Sequence, residues 1–312
     1  MDRRIVAVVV SWNLRDSVLR CIDKLVSRDV VSHVVLVDNA SVDGTPEAVR
    51  ERFPQVEIVE MDRNTGFAAG SNAGIRSAME HGSDFVLLVN SDVETPDGAV
   101  ERLLTASIEE GAGAVGAKML KMDDPSRLDG AWGVINWRNF VSRVEGEDET
   151  DGPLFSKRRK VDYPLGAFLL LNVEALEKVG LFDEDYFAYH EEMELCKRLD
   201  RAGYPVIYEP VAVPHKSGES VRAAGASRAR EYLLARNSVR FVDVYGGFFQ
   251  KLKFRVFVVS AIILKLPSAL LTGKFKNHAA NVHGWIDGFM GKSLDDKLKI
   301  KYRLETEKID NR

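Results

Sequence analysis

Cysteine is nearly absent from this chain, and no hydrophobic run is both long and free of charge. Cys21 and Cys196 are the only two cysteines. They stand far apart inside helical patterns, which argues against a disulfide framework or a thiolate zinc centre and for buried thiols in a reducing compartment. An excess of one charge sign is missing too. The 43 Lys and Arg against 47 Asp and Glu leave a net charge of −4, so the chain lacks the positive field of nucleic-acid-binding proteins, and no nucleic-acid partner is expected. After Met1-Asp2-Arg3-Arg4 only six apolar residues precede Ser11, too few for a signal peptide. That stretch reads as a first strand, and a cytoplasmic location is expected.

What is present is enough for a sizeable core. Of the 312 residues 45% are hydrophobic, sufficient for one large domain or two. Apolar runs and helical periodicities alternate through the first half, the pattern of a parallel sheet covered by helices. Residues 5–10, 34–37, 56–59, 85–89 and 114–120 read as strands, and the unbroken apolar run 5–10 is what burial on both faces looks like. Residues 17–26, 46–53, 67–80 and 96–110 read as helices, the last with Pro96 in a tolerated first-turn position.

The middle, 122–160, is less regular. It holds Trp132, Trp137 and Phe140, an acidic stretch at Glu145, Glu147, Asp148, Glu149 and Asp151, and then Lys157-Arg158-Arg159-Lys160. A solvated surface insertion and a mobile flap whose aromatics meet a sugar or lipid acceptor are the two readings. Further on, 161–172 reads as one strand through Gly166, 185–202 as an acid-rich helix, 206–208 and 211–213 as short strands, and 216–225 as a flexible loop rich in Gly, Ser and Ala. From 226 the pattern is helical. Residues 228–244 are amphipathic, and 248–271 are apolar with Lys251, Lys253, Arg255 and Lys265 among them. Pro267 and those charges argue against a simple membrane span. A helix lying in the bilayer interface and a helix packed on the rest of the fold fit equally. The end, 297–312, reads as a charged, loosely ordered tail.

Chemistry-bearing residues gather at the ends of predicted strands. Asn90-Ser91-Asp92 ends the run Asp84-Phe85-Val86-Leu87-Leu88-Val89. A carboxylate there points a hard oxygen out of the sheet edge where open α/β folds bind ligands, and where Mg²⁺ or Mn²⁺ holding a diphosphate needs donors; the plainer role is a turn or a helix cap. Asp38-Asn39-Ala40-Ser41-Val42-Asp43-Gly44-Thr45 closes the second strand. It is either an Asx-turn with Asp43 or Thr45 as cap, or a base site with Asp38 accepting the imide N–H of uracil or thymine. In Asn64-Thr65-Gly66-Phe67-Ala68-Ala69-Gly70-Ser71-Asn72-Ala73-Gly74, small residues let backbone approach a nucleotide and a helix N-terminus favours phosphate. It is neither the dinucleotide fingerprint nor a P-loop. In His190-Glu191-Glu192-Met193-Glu194, crowding would raise the pKa of one carboxyl and make it a usable base, with plain solvation on a helix surface as the alternative. His215, between a strand and a loop, is a candidate metal ligand through neutral imidazole or a structural histidine.

Together these segments resemble the inverting nucleotide-sugar glycosyltransferases of family 2, and within it the rhamnosyltransferase-like branch that builds cell-surface polysaccharide. The residues that carry the resemblance are Val10-Ser11-Trp12-Asn13, 37–45, 64–67 with Gly70-Ser71-Asn72, 87–92, Gly180-Leu181-Phe182-Asp183-Glu184, Glu191-Glu192-Met193-Glu194-Leu195 and His215-Lys216-Ser217-Gly218. They span roughly residues 4–240, and their order and spacing are specific. The resemblance implies an α/β GT-A fold, a mainly parallel nucleotide-binding sheet flanked by helices, over 1–225, a C-terminal helical extension over 226–292, and a charged tail over 293–312. It also implies a donor site formed by Ser11, Asn13, Asp38, Asn39, Asn64, Gly66, Phe67, Asn72, Asn90, Ser91 and Asp92. Asp92 matches the metal ligand of the family's Asp-x-Asp, of which this chain keeps only the second carboxylate, and His215 matches a position that completes the Mg²⁺ or Mn²⁺ site. The family's Glu-Asp pair is Glu191-Glu192 here, so Glu192 matches the catalytic base and Glu191 shares the candidacy.

The reaction implied is direct displacement. An acceptor hydroxyl attacks the anomeric carbon while a carboxylate removes its proton. The expected donor is dTDP-L-rhamnose or a UDP-sugar, and the expected acceptor is a glycan or a polyprenyl-linked glycan, reached at the inner face of the cell membrane through 248–271. Two other readings compete. A sugar nucleotidyltransferase would want a basic glycine-rich loop where Ser11-Trp12-Asn13-Leu14 stands. A non-catalytic nucleotide-sugar-binding protein would account for Asn90 and for glutamate at 192.

Overall fold

The computed structural model describes residues 3–137, 141–216, 227–302 and 304. The chain runs β1 (Ile5–Ser11), α1 (Arg15–Val26), β2 (Val31–Asp38), α2 (Thr45–Arg52), β3 (Glu57–Glu60), α3 (Gly66–Glu80), β4 (Phe85–Asn90), α4 (Ala99–Glu110) and β5 (Ala114–Lys121). Five short strands follow, β6 (Leu128–Gly130), β7 (Trp132–Asn136), β8 (Val141–Glu145), β9 (Arg159–Lys160) and β10 (Tyr163–Pro164). Then come β11 (Phe168–Asn172), α5 (Val173–Val179), α6 (Glu191–Arg201), β12 (Val206–His215), α7 (Ser227–Tyr245), α8 (Phe248–Leu271), α9 (Phe275–Phe289) and α10 (Asp296–Lys301).

The main sheet has the order β3-β2-β1-β4-β11-β5-β12-β9, with β6 beside β5. β3, β2, β1 and β4 are parallel. β11 runs antiparallel between β4 and β5, and β12 is parallel to β5. The central strands are valine-rich because β-branched side chains pack well on a pleated surface covered from both sides. Ile5, Ala7 and Val9 join one apolar cluster with Val18, Cys21, Ile22 and Leu25 of α1. On the other face α3 lies against β1 and β2 at Gly74, where a Cβ would stand 2.2 Å from Val8 Cγ1 and 2.9 Å from Val37 Cγ2. Only hydrogen fits there.

Several expected elements change at glycines or at left-handed residues. α4 starts at Ala99 rather than Pro96, because Gly98 has φ 73°. The strand expected over 161–172 is two: β10 pairs with β7, and after Gly166 β11 pairs with β4 and β5. The helix expected from 185 begins only at Glu191, since Phe187, Tyr189 and His190 have φ of 63°, 70° and 72°. The pieces 206–208 and 211–213 are one strand with a register shift between Tyr208 and Ala212. Trp132 is core rather than flap: its ring lies 4.8 Å from that of Tyr208 and 5.7 Å from that of Phe155, with the Arg159 guanidinium 4.4 Å away. Phe140 and most of the expected loop 216–225 lie outside the described residues.

The chain forms two compact units. The first comprises Met1–Val134, Val144–Asp183 and Glu192–Ser220; the second comprises Ile135–Arg143, Glu184–Glu191 and Val221–Arg312. In the second, α9 lies directly on α7 at Gly284, where a Cβ would meet Tyr232 O at 2.2 Å. Buried Arg236 donates to the carbonyls of Asp185 and Lys292, and the amide nitrogen of Asn237 lies within 3.0 Å of the carbonyls of Tyr186, Ala188 and Tyr189. The region expected as a loose tail opens with α10, and its Tyr302 stacks on Tyr232 at 4.3 Å. α8 is 24 residues long and its most apolar 18-residue stretch has mean hydropathy 1.9, long and apolar enough by length and composition to cross a membrane, despite Pro267 and its basic residues. Phe248, Phe249, Val256, Ile263, Leu264 and Leu271 are exposed along it.

Candidate active site

In the first unit one rim of the sheet collects the candidate residues. Ser11 and Asp38 are register partners at the ends of β1 and β2, and Asn90 ends β4 opposite Val10. Because β11 runs the other way, its beginning meets that same rim, with Phe168 opposite Val89. β12 also finishes there. His215 bridges Val93, and the Lys216 N–H donates to Asp92 O at 2.9 Å. Glu192 sits on the first turn of α6, its Cβ 3.7 Å from where a Cβ on Gly166 would be. Asp38, Asp92, Glu192 and His215 therefore share one edge.

Asp92 is the most exceptional of them. Its side chain is 2% exposed, yet neither carboxylate oxygen has a hydrogen-bond partner among the described residues. Burying an ionised carboxylate without hydrogen bonds is costly. Among the described residues His215 faces it, with Nε2 3.3 Å from Asp92 Oδ1. The other ring nitrogen, Nδ1, donates to Asp129 Oδ2 at 2.7 Å, which fixes the ring so that Nε2 faces Asp92. Burial works against the imidazolium, but the hydrogen bond to Asp129 and the negative charge of Asp92 and Asp129 outweigh it and push the His215 pKa up to about 9. Orphaned carboxylate oxygens, an imidazole turned toward them and a second carboxylate behind the ring form a donor set that fits a divalent cation. Asp129, on β6, carries no distinguishing signal in the sequence; only the pairing of β6 with β5 brings it to His215.

Glu192 carries a buried carboxyl at the helix start. Desolvation raises its pKa, opposed in part by the backbone N–H groups of Glu192 and Met193, and its Oε2 is buried without a partner among the described residues. The sequence suggests crowding of the two carboxyls; in the structure burial at a helix start is the leading cause. Glu191 opens α6 and belongs to the second unit. His190 is buried and kept neutral, burial lowering its pKa to about 4.

The loops at the far side of the rim divide into free and committed groups. Asp38 Oδ2 accepts the Ser41 N–H at 2.9 Å while Oδ1 is buried without a partner among the described residues, and burial raises the pKa of the carboxyl. Asn13, at φ 55°, accepts from the Val42 N–H through its side chain and donates its own backbone N–H to the Ser41 hydroxyl oxygen. Asn39 and Asn72 are engaged by the chain itself. Asn39 accepts from the Thr65 hydroxyl and donates to Gly66 O, and Asn72 makes a two-way pair with the Phe182 backbone at 2.9 Å each. Asn64 accepts the Gly66 N–H, shaping the turn into α3. Phe67 packs edge-on to Phe182, and Ser91 is buried beside Asp92. Both cysteines are buried free thiols whose pKa burial pushes up.

A mostly parallel sheet with acidic residues gathered at one edge is the setting in which the comparisons fall. The chain matches the family described as "Glycosyltransferase like family 2" over residues 3–236. The N-acetylglucosaminyl-diphospho-decaprenol L-rhamnosyltransferase of Mycobacterium tuberculosis is 30% identical over 213 residues, 61% of this chain and 68% of the relative. The dTDP-rhamnosyl transferase RfbF of Shigella flexneri is 24% identical over 247 residues, 76% and 79% of the two. The mannosyltransferase PcManGT from Pyrobaculum calidifontis, solved in complex with GDP-Man and Mn²⁺, shares the fold at TM-score 0.54 and 18% identity over 93% of this chain and 88% of its own. The chain belongs to glycosyltransferase family 2, with a GT-A fold. It is a glycosyltransferase of the rhamnosyltransferase-like branch, working in glycan biosynthesis.

Proposed function

We propose that the chain transfers a sugar, with inversion and with the help of Mn²⁺ or Mg²⁺, from a nucleoside-diphosphate sugar to a lipid-linked glycan. The observation that carries the reading is the pair of unpartnered, buried Asp92 oxygens facing a histidine that Asp129 holds in place. Asp92 and His215 would hold the cation, and Mn²⁺ suits an imidazole in the set better than Mg²⁺ does. When bound, it supplies positive charge where the leaving diphosphate becomes more negative.

The residues of the chain do the rest. Asp38 Oδ1, free and buried, accepts the imide N–H of a thymine or uracil base. The first turn of α3 at Phe67 offers backbone N–H to phosphate, on a turn that Asn64 and Gly66 shape between them, with Ser11, Asn13, Asn90 and Ser91 lining the same edge. Asn39 and Asn72 shape these loops from beneath. Glu192 takes the proton from the acceptor hydroxyl as it attacks the anomeric carbon from the side opposite the diphosphate, and its raised pKa makes it a better base than an ordinary carboxylate. dTDP-L-rhamnose is the favoured donor because two relatives carry rhamnosyl transfer in their names. A polyprenyl-diphosphate acceptor follows from the first of those names and from α8. Its exposed Phe248, Phe249 and Leu264 with Lys251, Lys253 and Lys265 suit a helix lying in an anionic bilayer surface at the inner face of the cell membrane.

The test is a panel of dTDP-L-rhamnose, UDP-galactose and UDP-N-acetylglucosamine given to the purified full chain with a polyprenyl-diphosphate-linked N-acetylglucosamine, with and without Mn²⁺. Metal-dependent rhamnosyl transfer with inverted anomeric configuration is expected. Donor binding without turnover under every condition would favour the non-catalytic reading.

A further inference from the structure

A second group of ligating side chains lies at the opposite edge of the same sheet. His33 is near the start of β2, Glu57 opens β3, and His81 is the cap residue that follows α3. One ligand atom from each lies within 4.8 Å of the others. His33 Nε2 is 3.3 Å and His81 Nε2 2.6 Å from the same carboxylate oxygen, Glu57 Oε2. The other oxygen, Oε1, accepts the Ser77 hydroxyl at 2.6 Å, which orients the carboxylate. The two imidazole rings are 4.3 Å apart and tilted by 46°, converging on one point rather than stacking face to face.

We propose that His33, Glu57 and His81 bind a divalent transition-metal ion of the Zn²⁺ class, as a structural site that ties the edge strand β3 and the end of α3 to β2. Two imidazoles and a carboxylate are a donor set that zinc takes in four-coordinate sites, with a water in the fourth place. Ligands at about 2.0–2.1 Å in a tetrahedron stand about 3.4 Å from one another; the His33–Glu57 separation is 3.3 Å, and the His81–Glu57 contact at 2.6 Å has to open by about 0.8 Å to admit the ion. The Ser77–Glu57 hydrogen bond is the kind of outer contact that fixes a ligating carboxylate. Side-chain exposures of 24%, 34% and 37% for His33, Glu57 and His81 leave an entry path. His33 and Asp38 are five residues apart on β2, about 16 Å along an extended strand, so this ion is not the one assigned to Asp92 and His215. Its role is anchorage. β3 is only four residues long and sits at the edge of the sheet, where pairing with a single neighbour gives it the least support.

The alternative is a metal-free triad in which both rings donate to Glu57, and a Co²⁺ titration of the chelator-stripped full chain separates the two. The wild-type protein is expected to develop the visible d–d bands of a four-coordinate nitrogen–oxygen Co²⁺ site, and saturating Zn²⁺ to raise its melting temperature by about 5 °C. His33→Asn, His81→Asn and Glu57→Gln are each expected to weaken that affinity at least 10-fold and to lose the thermal shift. Glu57→Gln serves as the near-isosteric variant should a histidine substitution unfold the protein. Asp92→Ala, which disables the donor-site set, is expected to keep bands and shift alike. Absence of the bands in the wild-type protein, or bands that survive His81→Asn and vanish in Asp92→Ala, overturns the proposal. Neither of those outcomes bears on sugar transfer, which the donor panel tests by itself.

Discussion

Removing the side chain of Asn237 tests how the segment just before Glu192 is held. The amide nitrogen lies 3.0, 2.9 and 2.8 Å from the carbonyls of Tyr186, Ala188 and Tyr189. Its two hydrogens are thus shared among three acceptors. Its oxygen accepts from Arg236, a side chain only 2% exposed. At about 1 kcal/mol for each net hydrogen bond and about 1 kcal/mol more for carbonyls left buried without a donor, Asn237→Ala is expected to cost about 3 kcal/mol. The segment contains Phe187, Tyr189 and His190 at positive φ, each about 1–2 kcal/mol above a relaxed backbone, so without the amide it has every reason to rearrange. That loss corresponds to a melting temperature lower by about 5–10 °C, read by differential scanning calorimetry. Asn237→Asp keeps the shape but turns two donors into an acceptor facing carbonyls, and should be at least as damaging. Since Glu192 follows His190 by two residues, kcat should fall in both variants with little change in the donor KM. Melting within about 1 °C of the wild type for both variants would refute the reasoning.

Three further outcomes are expected. Glu192→Gln should lower transfer about 10²–10⁴-fold while leaving nucleotide binding in place. Because burial raises the pKa of this carboxyl in the folded chain, the folded state prefers it protonated; the stability penalty is absent below the unfolded pKa and complete above the folded one. Glu192→Gln should therefore melt higher than the wild type at pH 7.5, and the gain should vanish below about pH 4; a gain that persists there would contradict the assignment. Asp129→Ala should raise the Mn²⁺ concentration needed for half-maximal transfer by about 10–100-fold, and an unchanged Mn²⁺ titration would remove Asp129 from the site. Replacing Phe248 and Phe249, which are 75% and 73% exposed, by serine should cut co-sedimentation with anionic vesicles by about 10–100-fold; equal sedimentation of variant and wild type would exclude α8 as the contact.

Much of this fold is legible because one physical rule dominates its first half. Strands covered on both faces must be apolar throughout, so β1 and β4 announce themselves and their polar ends, Ser11 and Asn90, mark the rim. The second half is harder because left-handed residues are silent in sequence. Nothing in Tyr186-Phe187-Ala188-Tyr189-His190 says that three of its members reverse the chain, since bulky side chains are the least expected there. What holds them is Asn237, far along the sequence. The candidate site follows the same division. Asp38, Asp92, Glu192 and His215 stand beside strand ends or a helix start, where position speaks for purpose. Asn39 and Asn72 look alike to a reader of motifs, yet their amides are spent on the backbone of the chain. Asp129 and the His33–Glu57–His81 group depend on which strands become neighbours, and that information is not local.

The absent side chain at Gly74 has a consequence for how this enzyme can vary. With Val8 and Val37 already touching the helix backbone, the spacing between helix and sheet there is at its minimum and cannot be tuned by small steps. A methyl group added at 74 has to be matched by room made at 8 and at 37, so the three positions are free to drift only in concert.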